Sequence, residues 1–152
     1  MSKYSRYKND QSVQIFDALL KGLCFLISWP FKKLLGIRDR GVRFNKEENA
    51  KKWTEIESML NSGDEIHAAQ AVIQADKFFE NILRLLGAQG ETFADKLRNY
   101  EDHFNHDTYQ AIWDAHKLRN RISHDLNHKP TISECKIAIE RFKKGLSNLG
   151  AL

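Results

Sequence analysis

The sequence predicts an all-α protein: an up-and-down bundle of four to five helices, preceded by an amphipathic N-terminal helix. Three observations carry this expectation. Only 2 prolines and 8 glycines interrupt 152 residues. Apolar residues recur at three- and four-residue steps, and no stretch of any length alternates with period two. Hydrophobic residues make up 41% of the chain, enough for one core, and the length fits one domain plus an appendage.

The bundle is expected over residues 45–152. Asn45 can cap a helix reaching about Leu60, with Trp53, Ile56, Met59 and Leu60 on its apolar face, and Asn61-Ser62-Gly63 stops it. A longer helix follows from about Asp64 to Leu86. Its apolar positions include Ile66, Ala69, Val72, Ile73, Phe79, Ile82, Leu83 and Leu86, and Gly87 is the expected stop. Thr92 with Asp95 three residues on reads as the cap of a short helix through about Tyr100. The next helix is expected from about Thr108 to Ser123, with Ala111, Ile112, Ala115, Leu118 and Ile122 as its buried stripe. Asn127-His128-Lys129-Pro130 is a turn. Thr131 with Glu134 then forms a capping box opening the last helix, which buries Ile132, Cys135, Ile139, Phe142 and Leu146. Trp53 and Trp113 fall at core spacing and read as packing residues.

Charge divides the chain in two. Residues 1–52 hold 12 Lys and Arg against 5 Asp and Glu, whereas residues 53–152 hold 12 against 15. The basic character therefore belongs to the N-terminal third, as expected of a segment that meets an anionic surface. Within it, residues 13–31 place apolar side chains at helical spacing opposite a narrow polar stripe. Asp17, Lys21 and Pro30 interrupt the window, which is marginal against the roughly 20 apolar residues of a membrane span. A helix lying in the interface fits better, with Phe25, Trp29 and Phe31 at the headgroup boundary and Lys32 and Lys33 against anionic lipid. Packing onto the bundle or onto a partner subunit is the competing reading. A cleaved signal peptide is not expected, because the polar leader is long and no small-x-small site follows the apolar run. Residues 36–46 read as a linker, so residues 1–44 form a separate basic segment.

Cys24 and Cys135 are far apart and lack a Cys-x-x-Cys partner, which points to thiols in a reduced, cytoplasmic setting. The basic segment would then meet the inner face of the cell membrane. Gly87-Ala88-Gln89-Gly90 lacks the Lys-Ser/Thr of a phosphate loop, and no Ser-His-Asp or Cys-His nucleophile arrangement stands out. Five of six histidines fall between His103 and His128, and His103/His106 and His124/His128 have spacings a metal could use. Those pairs lie in different loops with no cysteine nearby, so neither a metal nor another cofactor is expected.

The run Lys117-Leu118-Arg119-Asn120-Arg121-Ile122-Ser123-His124-Asp125 stands out chemically. Arg119 is a permanent cation suited to bidentate phosphate contact, and His124 can exchange protons near neutral pH. Together with Ala75-Asp76-Lys77-Phe78-Phe79-Glu80-Asn81-Ile82-Leu83, Phe93-Ala94-Asp95-Lys96-Leu97 and Ile112-Trp113-Asp114-Ala115-His116, this run resembles the HEPN domain over about residues 47–149. The resemblance implies a four- or five-helix bundle, commonly a homodimer. It also implies a metal-independent RNase site in which Arg119 and His124 act, Asn120 supports them, and paired motifs meet across the dimer cleft. A toxin or defence effector, with RNA as substrate and a cognate antitoxin as partner, is the role this implies. Non-catalytic members act as nucleotide-binding or dimerisation modules, and a module of that kind tethered at the membrane surface is the alternative.

The chemistry can also be built from the residues. RNA brings its own nucleophile, the 2′-hydroxyl. His124 would move protons, Arg119 would stabilise charge on the phosphoryl group, and Asn120 would bind a phosphate oxygen or orient the imidazole. Residues five apart on a helix differ by about 140° in direction, so His124 is expected where the helix frays, free to turn toward Arg119. One His cannot readily serve both proton transfers, so a second His from a symmetric partner fits the chemistry. His116 shares a face with Asn120 and His124 at steps of four and would support the site, while Arg121 adds charge for RNA binding.

If residues 1–44 meet lipid, the full chain is expected to co-sediment with anionic liposomes and a chain lacking them to stay in the supernatant. Equal partitioning of the two would remove the membrane reading.

Overall fold

The computed structural model describes residues 43–125 and 128–152, and these form five α-helices and no strand. The helices are α1 (Lys46–Leu60), α2 (Glu65–Leu85), α3 (Phe93–Asn99), α4 (His106–His124) and α5 (Ile132–Asn148). A short 3₁₀ turn, Glu101–His103, lies between α3 and α4. The N-terminal helix expected over 13–31, with Phe25, Trp29, Phe31, Lys32 and Lys33, lies outside the described residues, as does Cys24. No helix among the described residues is long and apolar enough to cross a membrane.

Local sequence explains where each helix begins. The side chains of Asn45, Asp64, Thr92, Asn105 and Thr131 each accept a hydrogen bond from the backbone N–H three residues on. That satisfies one of the donors a helix start leaves open. Thr92/Asp95 and Thr131/Glu134 form reciprocal capping boxes. Asn105 moves the start of α4 to His106, ahead of the expected Thr108.

Two helices end alike. After α2, the Gly87 N–H donates to Arg84 O and the Ala88 N–H to Leu83 O; after α5, Gly150 donates to Ser147 O and Ala151 to Leu146 O. Both are Schellman motifs, and both glycines take the positive φ that the motif requires, at 86° and 69°.

α2 is the central helix and touches all four others. Its buried side includes Val72, Phe79, Ile82 and Leu83, which meet Ile112 of α4 and Phe142 and Leu146 of α5 in one core. Each such side chain contributes about 2 kcal/mol through burial of apolar surface. Ile66 departs from the expected stripe: it is 78% exposed. It stands in the first turn of α2, before the neighbouring helices close over that face.

At Gly145, α5 packs directly against side chains of α2 and α4. A Cβ built there would lie 2.7 Å from Phe79 Cε2 and 2.8 Å from Ile112 Cδ1. Both neighbours are fully buried and cannot swing away. Just beyond the same end of α5, Asn49 Nδ2 donates to Ala151 O at 2.9 Å, fastening α1 to the turn after α5.

Gly145→Ala is therefore expected to destabilise the fold by about 1–3 kcal/mol in urea unfolding, even though alanine favours an isolated helix. An unchanged or higher midpoint would show that the three helices are not packed at contact there.

The capping carboxylates give the fold an acid limit. Asp64 is held below its ordinary value chiefly by the His67 N–H, Asp95 chiefly by the Thr92 hydroxyl, and Glu134 chiefly by the Thr131 N–H. Groups with lowered folded values stabilise the fold above their unfolded range and lose that contribution as pH falls through the folded values. The melting temperature is expected to drop between about pH 5 and about pH 2, with a shallower slope in Asp95→Asn and Glu134→Gln.

Candidate functional site

The motif residues occupy the last two turns of α4, and the side chains they meet are Asp76 of α2 and His116, one turn earlier in α4. Asp76, on α2, is 1% exposed. Its Oδ1 lies 2.7 Å from His116 Nδ1, and its Oδ2 lies 3.3 Å from Arg119 Nε. Asn120 closes the circuit: Arg119 Nη1 donates to its Oδ1 at 3.0 Å, and its Nδ2 meets His116 Nε2 at 3.1 Å. The contact between Arg119 Nε and Asp76 is a charge pair without hydrogen-bond alignment, since Nε has no hydrogen-bond partner among the described residues.

The network assigns its own proton positions. Asn120 Oδ1 is taken by a guanidinium donor, so the amide nitrogen faces His116 and donates to Nε2. The ring proton then sits on Nδ1 and is donated to Asp76, the pattern of a neutral imidazole. Asp76 thus carries one negative charge against the one positive charge of Arg119. A buried carboxylate without such partners would be costly.

α3 covers this network. Phe93 stacks on His116 with centroids 4.2 Å apart and planes 7° from parallel, and Trp113 meets the same ring edge-on at 6.0 Å. Lys96 locks α3 in place: its Nζ is nearly enclosed and donates to Glu80 Oε1 at 2.9 Å and to Glu91 O at 2.7 Å. The sequence placed His116 in support of the site, but its partner Asp76 was not singled out. The available signal was an acid amid the apolar residues of a long helix, between Ala75 and Phe78.

The structure groups Asp76, His116, Arg119 and Asn120, and leaves two expected members elsewhere. His124 is exposed and remains in α4, whose C-cap is Asp125. The expected fraying does not occur, because the Asp125 N–H still donates to Arg121 O at 2.9 Å and keeps the last turn wound. Arg119 and His124 of one chain therefore stay about 140° apart around the helix axis. Arg121 turns away from Arg119 into an open groove of about 490 Å³ between α4 and α5, with Asp114, Lys117, Glu134 and Arg141. A second groove of about 650 Å³, lined by Ile66, Ile73, Ile122, His128 and Pro130, runs beside the start of α2. Neither is lined by Arg119, Asn120 or His124.

Among the described residues, no three His, Cys, Asp or Glu side chains converge as metal ligands. Cys135 is a free, fully buried thiol whose pKa burial raises to about 11. That fits a packing residue rather than a nucleophile. No family model matches the chain, and no curated protein or solved structure matches it either.

Asp76→Asn keeps the shape of the side chain but removes the charge facing Arg119. It is expected to cost about 2 kcal/mol in urea unfolding, below the usual cost of breaking a buried pair because Arg119 is a quarter exposed. Asn120→Ala should cost about 1 kcal/mol by releasing His116 Nε2 and Arg119 together. Wild-type stability in both variants would mean that the network does not hold α2 to α4.

Proposed function

We propose that this chain is a HEPN-type, metal-independent endoribonuclease whose site is completed by a second copy of itself. The observation that carries the reading is the arrangement of α4. A partly exposed guanidinium is fixed by a buried acid and an amide, and an exposed imidazole follows four residues after Asn120. The resemblance over about residues 47–149 and the helical bundle support the same reading. Because α4 stays regular, one chain presents Arg119 and His124 in different directions, and a two-fold pairing would bring Arg119 of one copy toward His124 of the other.

In this mechanism, one His124 takes the proton of the ribose 2′-hydroxyl as its oxygen attacks phosphorus. The bond to the 5′-oxygen breaks, and His124 of the second copy, protonated, gives that oxygen its proton. Arg119 stabilises the added charge on the phosphoryl oxygens. The products are a 2′,3′-cyclic phosphate and a 5′-hydroxyl. Asp76, His116 and Asn120 position the guanidinium and do not touch the reacting atoms. A toxin or defence role, with a cognate antitoxin as partner, belongs to this proposal.

A second reading is a non-catalytic nucleotide-binding or dimerisation module. It draws on the pairing of Arg119 with Asp76, which offsets the charge a phosphate would meet.

The full-length protein is expected to cleave RNA in EDTA and leave cyclic phosphate ends, with activity lost in Arg119→Ala and in His124→Ala. Mixing these two variants should leave cleavage lost, since a mixed dimer carries one His124 and the two proton transfers use two. RNA left intact by the wild-type dimer would overturn the enzyme reading in favour of the module.

A further inference from the structure

At the outer edge of the His116 network, α3 and α4 present a cation–π pair to solvent. Arg98, in the last turn of α3, places Cζ 5.3 Å from the Trp113 ring centroid. Its side chain is 63% exposed and pairs with Asp95 at 3.3 Å. Both tryptophans pack as expected, Trp53 inside the core and Trp113 partly buried against it, which leaves part of Trp113 open to solvent. The Trp113 ring is gripped by its neighbours: Tyr109 meets it at 6.1 Å and 88°, and His116 at 6.0 Å and 74°. The result is a rigid aromatic plane overlaid by a planar guanidinium that faces water.

The position of the pair matters as much as its chemistry. Trp113 and Asn120 are seven residues apart, so they lie on one side of α4 about 10 Å from each other along the axis. Trp113 also touches His116, which Asn120 and Asp76 hold. A strand whose phosphate reached Arg119 would have a neighbouring base within reach of Arg98.

We propose that Arg98 and Trp113 form a stacking shelf for an unpaired base of single-stranded RNA, beside the phosphate held at Arg119. The inference deepens the ribonuclease reading and rests on it. An unpaired base can stack on a guanidinium plane, and the aromatic ring behind fixes that plane in space. Stacking of this kind tolerates any base but requires that the base be free of a duplex. The shelf would therefore select unpaired segments without reading their sequence. A plain phosphate contact by Arg98 is the competing role, and charge separates the two: Arg98→Lys keeps the charge and removes the stacking plane.

The test uses the full-length protein and a 2′-O-methyl single-stranded RNA, in which the nucleophile is blocked, beside a matched oligomer whose sugars carry no bases. Binding of the base-bearing oligomer is expected to weaken about tenfold in Arg98→Lys and in Trp113→Leu. Binding of the abasic oligomer should not change in Arg98→Lys, nor should the salt dependence of that variant. Wild-type affinity in Arg98→Lys, or equal weakening on both oligomers, would overturn the shelf while leaving RNA binding in place. Failure of the wild-type protein to bind either oligomer would remove the ribonuclease reading and the shelf with it. Arg98 is exposed, so its replacement does not put folding at stake.

Discussion

Burying the Asp76 carboxylate between α2 and α4 creates an electrostatic demand that several distant residues answer. One oxygen accepts from His116 and the other faces Arg119, and both partners come from α4, some forty residues along the chain. Removing a charge from water is costly unless it is paired and hydrogen-bonded. The pairing therefore constrains the register of α4 against α2, since sliding α4 by one residue would carry both partners away. The direction of Arg119, the group on which any phosphate chemistry here depends, follows from the same constraint.

The network also depends on α3, a helix of only two turns that could not persist alone. The Thr92–Asp95 capping box starts it, and the buried Lys96 ammonium ties it to Glu80 of α2. Phe93 is thereby placed flat on His116, and water is excluded from one face of the imidazole. The hydrophobic core does the rest: close contact of α5 at Gly145 with Phe79 and Ile112 fixes how near α2 and α4 can come. Packing and polar pairing thus support one geometry, with the apolar side of α2 setting the spacing and its one buried acid setting the register.

Much of this architecture was legible in the sequence. Helix ends were readable because their signals are local: Thr92/Asp95, Thr131/Glu134, Asn45 and Gly87 act within one turn of where they stand. Core positions such as Val72, Phe79, Ile112 and Phe142 were readable because burial repeats at the helical period. Ile66 followed the period yet lies in water, since periodicity records a face of a helix and not how far its neighbours extend along it. His124 was expected to leave the helix, but the backbone hydrogen bond from Asp125 keeps the last turn intact.

The candidate site was half legible. Arg119, Asn120, His124 and His116 could be named because residue type and spacing along one helix are properties of the chain itself. Asp76 could not be, because an acid on a long helix reads as one of many until its burial is known. The sequence by itself determined the helices, their caps and their apolar faces, since these rest on interactions within a few residues. Tertiary structure alone decided that Asp76 meets His116 and Arg119, that Arg121 turns to another groove, and that Arg98 overlies Trp113. Those contacts join helices separated in the chain, and their geometry is set by how side chains from five helices share one interior.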